Sequence, residues 1–180
     1  AGCASINQIF AMTEAELDAV ELHLARPTAD FTQGPAMTEA ETLDAMNRGA
    51  AAVRADADVL ILGEMGIGNS TVASAVAAAL FGGPVAGWVG RGTGSDDAGV
   101  KRKIDAIERG LALHGGKDAM GILAALGGRE QAAICGATLA ARSRGIGVIL
   151  DGFVCTSAAA PLGGAARALL DHCVVGHVSV

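Results

Sequence analysis

A short apolar segment, a glycine-rich turn and an alanine-rich segment follow one another between residues 59 and 81 of this 180-residue chain. The first segment, VLIL, has the length and the continuous apolar character of a strand in a parallel sheet that is covered on both faces. The third segment, VASAVAAAL, is typical of a buried helix. Because parallel strands are joined by crossover connections that usually contain a helix, this order predicts an α/β fold.

The alternation of strands and helices continues along the chain. A capping box at Thr38 and Glu41 predicts the start of a helix. Further helices are predicted at 71–81, 97–114, 118–126 and 130–142, and strands at 20–24, 59–62, 85–89, 147–150 and from 174 onwards. We therefore predict a three-layer α/β fold, with a mostly parallel, Rossmann-like sheet and helices on both faces. No linker or internal repeat divides the chain, so one α/β domain over residues 1–180 is expected.

Composition argues against nucleic-acid binding. The chain has 26 glycines, no tyrosine, one tryptophan and four phenylalanines, and its net charge is −6. A surface that binds nucleic acid needs positive charge, and single-stranded nucleic acid also needs aromatic rings for stacking. We therefore expect no nucleic-acid partner.

Cysteine spacing and hydropathy indicate a cytoplasmic location. The four cysteines form no C-x-x-C unit, which argues against a zinc knuckle and a dense disulfide framework. No signal peptide is visible. Residues 65–90 carry no charge, but Gly82, Gly83 and Pro84 interrupt them, so a buried helix and a turn fit this segment better than a membrane span.

Three distinctive loops are predicted to meet at one edge of the sheet. They span residues 63–70, 90–97 and 151–156, and each follows a predicted strand. Ligands of open parallel sheets bind beyond the carboxyl ends of the strands. The three loops together therefore indicate a binding site better than any one of them alone.

The first loop, GEMGIGNST, differs from the familiar phosphate loops. Gly63 and Gly68 have the Walker A spacing, but Asn69 stands where that motif has lysine, and Thr71 stands where a dinucleotide fingerprint has its third glycine. Tight packing of a strand against a helix explains the glycines equally well. Glu64 at the end of the strand could meet a base or hydroxyl of a substrate, and backbone N–H groups at the helix start favour an anion.

The other two loops offer a backbone cradle and a carboxylate. In GRGTG the glycines at 90, 92 and 94 surround Thr93, which suits a phosphate. Lys103 borders the buried face of the next helix, although a solvated lysine is an equal alternative. Asp151, followed by Gly152, could bind either a ligand or backbone amides.

The combination of motifs resembles a known family. GEMGIGNST, WVGRGTGSDDAGVKRKI, ALGGREQAAICGA and VILDGFVCTSAA occur in an order and spacing similar to those of nicotinate-nucleotide–dimethylbenzimidazole phosphoribosyltransferase, the CobT family of cobalamin biosynthesis. TADFTQGPAMTEAE also resembles its pattern. The resemblance implies a homodimer that transfers phosphoribose from nicotinate mononucleotide to 5,6-dimethylbenzimidazole, without a metal or another cofactor. It also implies a small second domain, which this chain contains only in part.

The resemblance assigns roles to individual residues. Glu64 and Lys103 match residues of the family's substrate site, with Glu64 in a secondary catalytic role. The family's general-base glutamate lies beyond the stretch matched by GHVSV, so we expect the 180 residues to be the central part of a longer protein and inactive alone. Substrate binding is expected at Met65, Gly66, Gly68, Asn69, Ser70, Gly90, Gly92, Thr93, Gly94, Lys103, Asp151 and Gly152.

Two alternatives remain open. One is a non-catalytic nucleotide-binding module that retains the phosphate loops. The other is a different phosphoribosyltransferase or phosphate-handling α/β enzyme, which would accept another base and ignore benzimidazoles.

Overall fold

The structure is a computed structural model that describes residues 8, 12–13, 15–92 and 94–177. It contains helices and strands, as the hydropathy pattern predicts, but four α-helices in succession separate the first strand from the second. Two short 3₁₀ helices, Val85–Gly87 and Arg167–Leu170, supplement them. The main elements are α1 (Glu39–Ala52), β1 (Val59–Leu62), α2 (Asn69–Phe81), α3 (Asp97–His114), α4 (Ala119–Leu126), α5 (Arg129–Ser143), β2 (Gly147–Leu150), α6 (Gly152–Ala165) and β3 (Cys173–Val175).

The three strands form a parallel sheet in the order β1-β2-β3. Leu62 at the end of β1 pairs with Leu150 at the end of β2, and Leu150 pairs with Val175. This register brings the carboxyl ends of all three strands to one edge. The predicted parallel α/β fold is thereby confirmed, and the segments that leave β1 and β2 start side by side.

One face of the sheet carries much of the apolar core. Leu62, Val148 and Leu150 are buried there against side chains of α5 and α6, among them Ile134 and Ala158. The side chains of Val59, Ile61 and Val174, which point to the opposite face, are exposed. Packing against α5 and α6 therefore fixes the position of the sheet edge relative to the first turns of both helices.

Helix α1 packs closely against α5 through glycine. A Cβ atom at Gly136 would lie 1.8 Å from the carbonyl oxygen of Met46, and one at Gly49 would lie 1.9 Å from that of Ala133. The capping box of Thr38 and Glu41 is present at the start of α1, as predicted. The helix buries Thr42, Ala45 and Gly49, because backbones approach this closely only where side chains are small.

Two predicted strands are absent. Residues 20–24 form no strand, because His23 adopts a positive φ of 56° and its carbonyl accepts a turn hydrogen bond from the Arg26 N–H at 2.8 Å. Residues 85–89 begin instead with a 3₁₀ turn, which the Gly87 and Trp88 N–H groups close on the carbonyls of Pro84 and Val85. In both segments local backbone hydrogen bonds take the place of a sheet partner.

The uncharged segment 65–90 resolves into loop, helix α2 and a turn. Its helix is 13 residues long, and Gly82 ends it with a positive φ of 71°. Among the described residues, none of the helices has both the length and the hydropathy needed to span a membrane.

Candidate functional site

The loop after β1 leads directly into an open helix N-terminus. Gly68 occupies the N-cap position with a positive φ of 82°, a conformation that glycine adopts without steric cost, and no side chain caps the helix. The N–H of Asn69 donates to the Gly66 carbonyl at 3.2 Å, and the N–H of Thr71 donates to the Gly68 carbonyl at 2.9 Å. The first turn of α2 therefore presents its positive dipole end to the sheet edge.

Glu64 lies partly buried at the end of β1 and accepts a hydrogen bond from the side-chain amide of Asn69. Burial raises the pKa of Glu64, and the negative charge of Asp151 raises it further, whereas the hydrogen bond from Asn69 lowers it. The two polar side chains thus hold each other across the glycine turn. The carboxylate charge of Glu64 is also disfavoured relative to an exposed glutamate.

The second loop lies against the first. The hydroxyl oxygen of Ser74 in α2 lies 2.8 Å from the Ser70 carbonyl oxygen and 2.7 Å from that of Trp88, which ties the chain before Gly90 to α2. A Cβ atom at Gly92, where φ is +56°, would lie 3.4 Å from both Ser70 Oγ and Lys103 Nζ. Only glycine leaves this approach open without strain.

Lys103 reaches the same loop from helix α3. Asp96 caps the start of α3 by accepting a hydrogen bond from the Gly99 N–H at 2.7 Å. Two turns later Lys103, partly buried as predicted, donates from Nζ to the carbonyl of Gly90 at 3.4 Å. The ammonium group is therefore held beside Gly92 and Ser70.

Three further residues of the first two loops, Met65, Ile67 and Gly94, lie at the outer surface of these loops. Met65 is 95% exposed and Ile67 is fully exposed, so the first loop presents two apolar side chains to solvent. Gly94 adopts a φ of +119°, and no neighbouring group lies within 4 Å of the position of a Cβ atom. Thr93, predicted to bind substrate, lies outside the described residues.

The third loop begins where β2 ends. Asp151 is exposed, and its carboxylate lies 3.3 Å from Nε2 of His177, which follows β3. Gly152 opens α6 with a positive φ of 52°, and the carbonyl of Gly152 accepts a hydrogen bond from the Thr156 hydroxyl at 2.8 Å. Because Leu62 pairs with Leu150, the first and third loops start side by side. The negative charge of Asp151 accordingly adds to the rise of the Glu64 pKa that burial causes.

Glu130 is a member of the site that we did not predict. A Cβ atom at Gly66 would lie 3.3 Å from its Cδ and Oε1 atoms, so the carboxyl group packs against the first loop. Burial raises the pKa of Glu130, and the charge of Glu64 raises it further. The available signal was a charged pair, Arg129 and Glu130, directly after Gly127 and Gly128 at the start of an alanine-rich helix.

The Cys155 thiol and the His114 ring each contact a backbone carbonyl, which is typical of structural side chains. Burial raises the pKa of the Cys155 thiol to about 12, and its Sγ donates to the Leu62 carbonyl at 3.3 Å. His114, at the end of α3, is buried with its Nε2 2.9 Å from the carbonyl oxygen of Phe31. Within the described parts of the chain, no three histidine, cysteine or acidic side chains are grouped so that they could hold a metal ion.

The chain is similar to known proteins over nearly its whole length. The sequence model of a family described as phosphoribosyltransferase matches residues 1–180. Nicotinate-nucleotide–dimethylbenzimidazole phosphoribosyltransferase of Rhodobacter capsulatus is 61% identical over 178 residues, which are 99% of this chain and 53% of that protein. The enzyme of the same name from Mesorhizobium japonicum is 57% identical over 180 residues, which are 54% of its length.

A solved structure shows the same fold. The crystal structure of CobT from Thermus thermophilus superimposes with a TM-score of 0.86 at 37% identity and covers 98% of this chain and 59% of that one. The present chain spans about half the length of the curated relatives that it matches.

Proposed function

This chain belongs to the CobT family of phosphoribosyltransferases, and from this membership we propose that its full-length protein transfers phosphoribose from nicotinate mononucleotide to 5,6-dimethylbenzimidazole. The products are nicotinate and α-ribazole 5′-phosphate, which serves the assembly of the cobalamin nucleotide loop. One observation carries the proposal at the level of the site. Gly92 of the second loop lies against both Ser70, in the uncapped first turn of α2, and the ammonium group of Lys103. This group of residues follows the carboxyl end of β1.

The phosphate of the nucleotide binds between the first two loops in this proposal. Backbone N–H groups at Gly68 and Ser70 and the dipole of α2 favour an anion there. Lys103 supplies the positive charge, since its Nζ already lies beside Gly92 and Ser70. The weak 3.4 Å hydrogen bond to Gly90 leaves the ammonium group free to turn to a phosphate oxygen.

The transfer itself exchanges one N-glycosidic bond for another. The bond between C1′ and the pyridinium nitrogen breaks, and its electron pair returns to the ring, which leaves as nicotinate. A ring nitrogen of the benzimidazole bonds to C1′ from the opposite face, which gives the α-linkage, and the proton on its other nitrogen passes to a carboxylate. Because the pyridinium is a good leaving group, positioning and charge placement supply most of the catalysis.

Glu64 supports this step from the sheet edge. Its carboxylate is fixed by the Asn69 amide and lies in the same site as the proposed phosphate cradle. We assign it a secondary role, in which it accepts hydrogen bonds from the substrate, while the general base comes from the part of the full-length protein beyond this chain. Met65 and Ile67 offer an exposed apolar surface of the kind that a flat aromatic base covers.

Assembly and location are proposed with the function. The full-length protein is expected to act as a homodimer in the cytoplasm, where Cys135, Cys155 and Cys173 stay reduced; all three are free thiols in the structure.

Release of nicotinate tests the proposal. The full-length gene product and the 180-residue chain are incubated with nicotinate mononucleotide, with and without 5,6-dimethylbenzimidazole, and the products are separated by chromatography. We expect benzimidazole-dependent release by the full-length protein only. Release by the short chain as well would refute the external general base. The absence of release from both, with nucleotide binding retained, would favour the non-catalytic module.

A further inference from the structure

The carboxyl group of Glu130 lies against the glycine loop, although its helix comes from a distant part of the chain. A Cβ atom at Gly66 would meet Cδ and Oε1 of Glu130 at 3.3 Å and Cβ of Asn69 at 3.4 Å. Gly66 is therefore enclosed between Glu130 on one side and Asn69 on the other. Asn69 in turn holds Glu64 by a hydrogen bond.

The start of α5 is built to hold Glu130 in this position. The neighbouring Arg129 is buried, donates from Nη1 to the carbonyl of Arg26 at 2.7 Å, and donates from Nη2 to Glu41 at 3.0 Å. A Cβ atom at Gly128 would lie 2.4 Å from Oε1 of Glu130, so a larger residue there would displace the carboxyl group from its position over the helix N-terminus. There the helix dipole favours its negative charge.

We propose that Glu130 is a positioning residue for the proposed phosphoribosyl transfer: its carboxyl group braces the glycine loop at Gly66 and acts through that loop on Asn69 and Glu64. This inference rests on the proposed function for its catalytic readout. Its structural part, the bracing of residues 63–70, holds independently of which nucleotide binds.

Shape and charge of Glu130 can be varied separately. Packing against Gly66 needs a side chain of this length, which glutamine preserves and alanine removes. The charge of Glu130 is coupled to that of Glu64, because burial and the negative charge of Glu64 both raise the pKa of Glu130. Besides Glu64, Glu130 interacts with the charge of Arg129. Glu64 interacts with the charge of Asp151 and with the Cys155 thiol.

The experiment compares Glu130→Ala and Glu130→Gln with an exposed control, Glu108→Ala on α3, in the full-length protein. Hydrogen–deuterium exchange of residues 63–70 without nucleotide measures bracing. We expect faster exchange in Glu130→Ala and near wild-type exchange in Glu130→Gln and Glu108→Ala. Unchanged exchange in Glu130→Ala, in a protein that keeps its melting temperature, would overturn the proposal.

The transferase reaction gives the second readout. We expect kcat/KM to fall roughly 100-fold in Glu130→Ala, the scale of a misplaced site, and to recover to within about threefold in Glu130→Gln. Equal losses in both variants would contradict a positioning role, because glutamine keeps the side-chain length that packing against Gly66 requires.

The two readouts separate this inference from the proposed function. Absence of transferase activity in the wild-type protein would refute the proposed function alone, since the exchange of residues 63–70 needs no substrate.

Discussion

Lys103 Nζ lies 3.4 Å from the carbonyl oxygen of Gly90, and this contact joins helix α3 to the start of the second glycine loop. The lysine is partly buried, whereas Lys101 on the same helix is exposed. The structure thereby distinguishes the two cations that the sequence places two residues apart.

Replacement of this lysine should weaken nucleotide binding. In Lys103→Ala the phosphate loses a charge-assisted hydrogen bond of about 1.5–3 kcal/mol, so kcat/KM should fall roughly 10- to 100-fold, mainly through a higher KM for nicotinate mononucleotide. Steady-state kinetics of the full-length protein measure this. Lys101→Ala is the matched control and should change kcat/KM less than about twofold. Equal effects of the two substitutions would contradict the assignment.

The side-chain amide of Asn69 influences the ionisation of Glu64, whose pKa is raised chiefly by burial. The hydrogen bond from Asn69 lowers the pKa of Glu64, so Asn69→Ala should raise that pKa. Activity that needs the Glu64 carboxylate is lost as pH falls through its pKa, and the loss should therefore begin at higher pH in Asn69→Ala. The pH dependence of kcat/KM measures this shift, and an unmoved acidic limb in Asn69→Ala would contradict it. Asn47→Ala, on the exposed side of α1, should leave the profile unchanged.

Gly92 has a positive φ angle, which favours glycine, and it also has close neighbours in Ser70 and Lys103. Gly116 has only the positive φ angle, so comparing the two positions separates the two effects. Gly92 and Gly116 have positive φ angles of 56° and 80°, but nothing lies within 4 Å of a Cβ atom at Gly116. Alanine at either position should lower the free energy of unfolding by about 1–2 kcal/mol. Only Gly92→Ala should also weaken binding of nicotinate mononucleotide, measured by calorimetry. Unaltered binding in Gly92→Ala would place the phosphate elsewhere.

Arg129 should matter for stability far more than an exposed arginine. Its side chain is 8% exposed and pairs with Glu41, whose side chain is 23% exposed, while those of Arg48 and Asp44 are 42% and 47% exposed. Arg129→Met removes the donors to Glu41 and to a carbonyl, and we expect a loss of roughly 2–4 kcal/mol in the free energy of unfolding. Arg48→Met should cost less than about 1 kcal/mol. Urea denaturation compares the two, and similar losses would refute the anchoring role of Arg129.

The buried thiols should be inert. Burial raises the pKa of both Cys135 and Cys155 to about 12, so almost no thiolate exists at or below about pH 9. Alkylation with iodoacetamide between about pH 6 and 9, followed by mass spectrometry, should leave both residues unmodified in the native protein. Denatured protein is the positive control. Rapid modification of Cys155 in the native state would contradict this prediction.

The parts of the site that the sequence predicts are local in the chain. The glycines, Glu64 and Asn69 lie within one strand–turn–helix unit, and their spacing alone indicates an open helix N-terminus. The strand at residues 147–150, directly before Asp151, likewise indicates that Asp151 lies at the carboxyl edge of the sheet. Contacts between residues only a few positions apart follow from backbone geometry, which the sequence pattern encodes well.

The parts that sequence reasoning missed depend on tertiary packing. Glu130 reaches Gly66 because α5 is placed by its contacts with α1 and the sheet, and no local pattern specifies that approach. Residues 85–89 look like a strand by hydropathy, yet Val85 is buried in a different cluster, with Ile107 and Leu126, and the chain turns there. Hydropathy alone therefore does not distinguish a strand from a buried turn at residues 85–89.

The most direct test of the site is a crystal structure of the full-length protein with nicotinate mononucleotide. We predict that the phosphate contacts backbone N–H groups of residues 66–70 and the Nζ of Lys103, with the ribose toward Glu64. A nucleotide bound away from these loops, for example in the cavity lined by His23, Arg26, Glu41 and Asp44, would contradict the assignment.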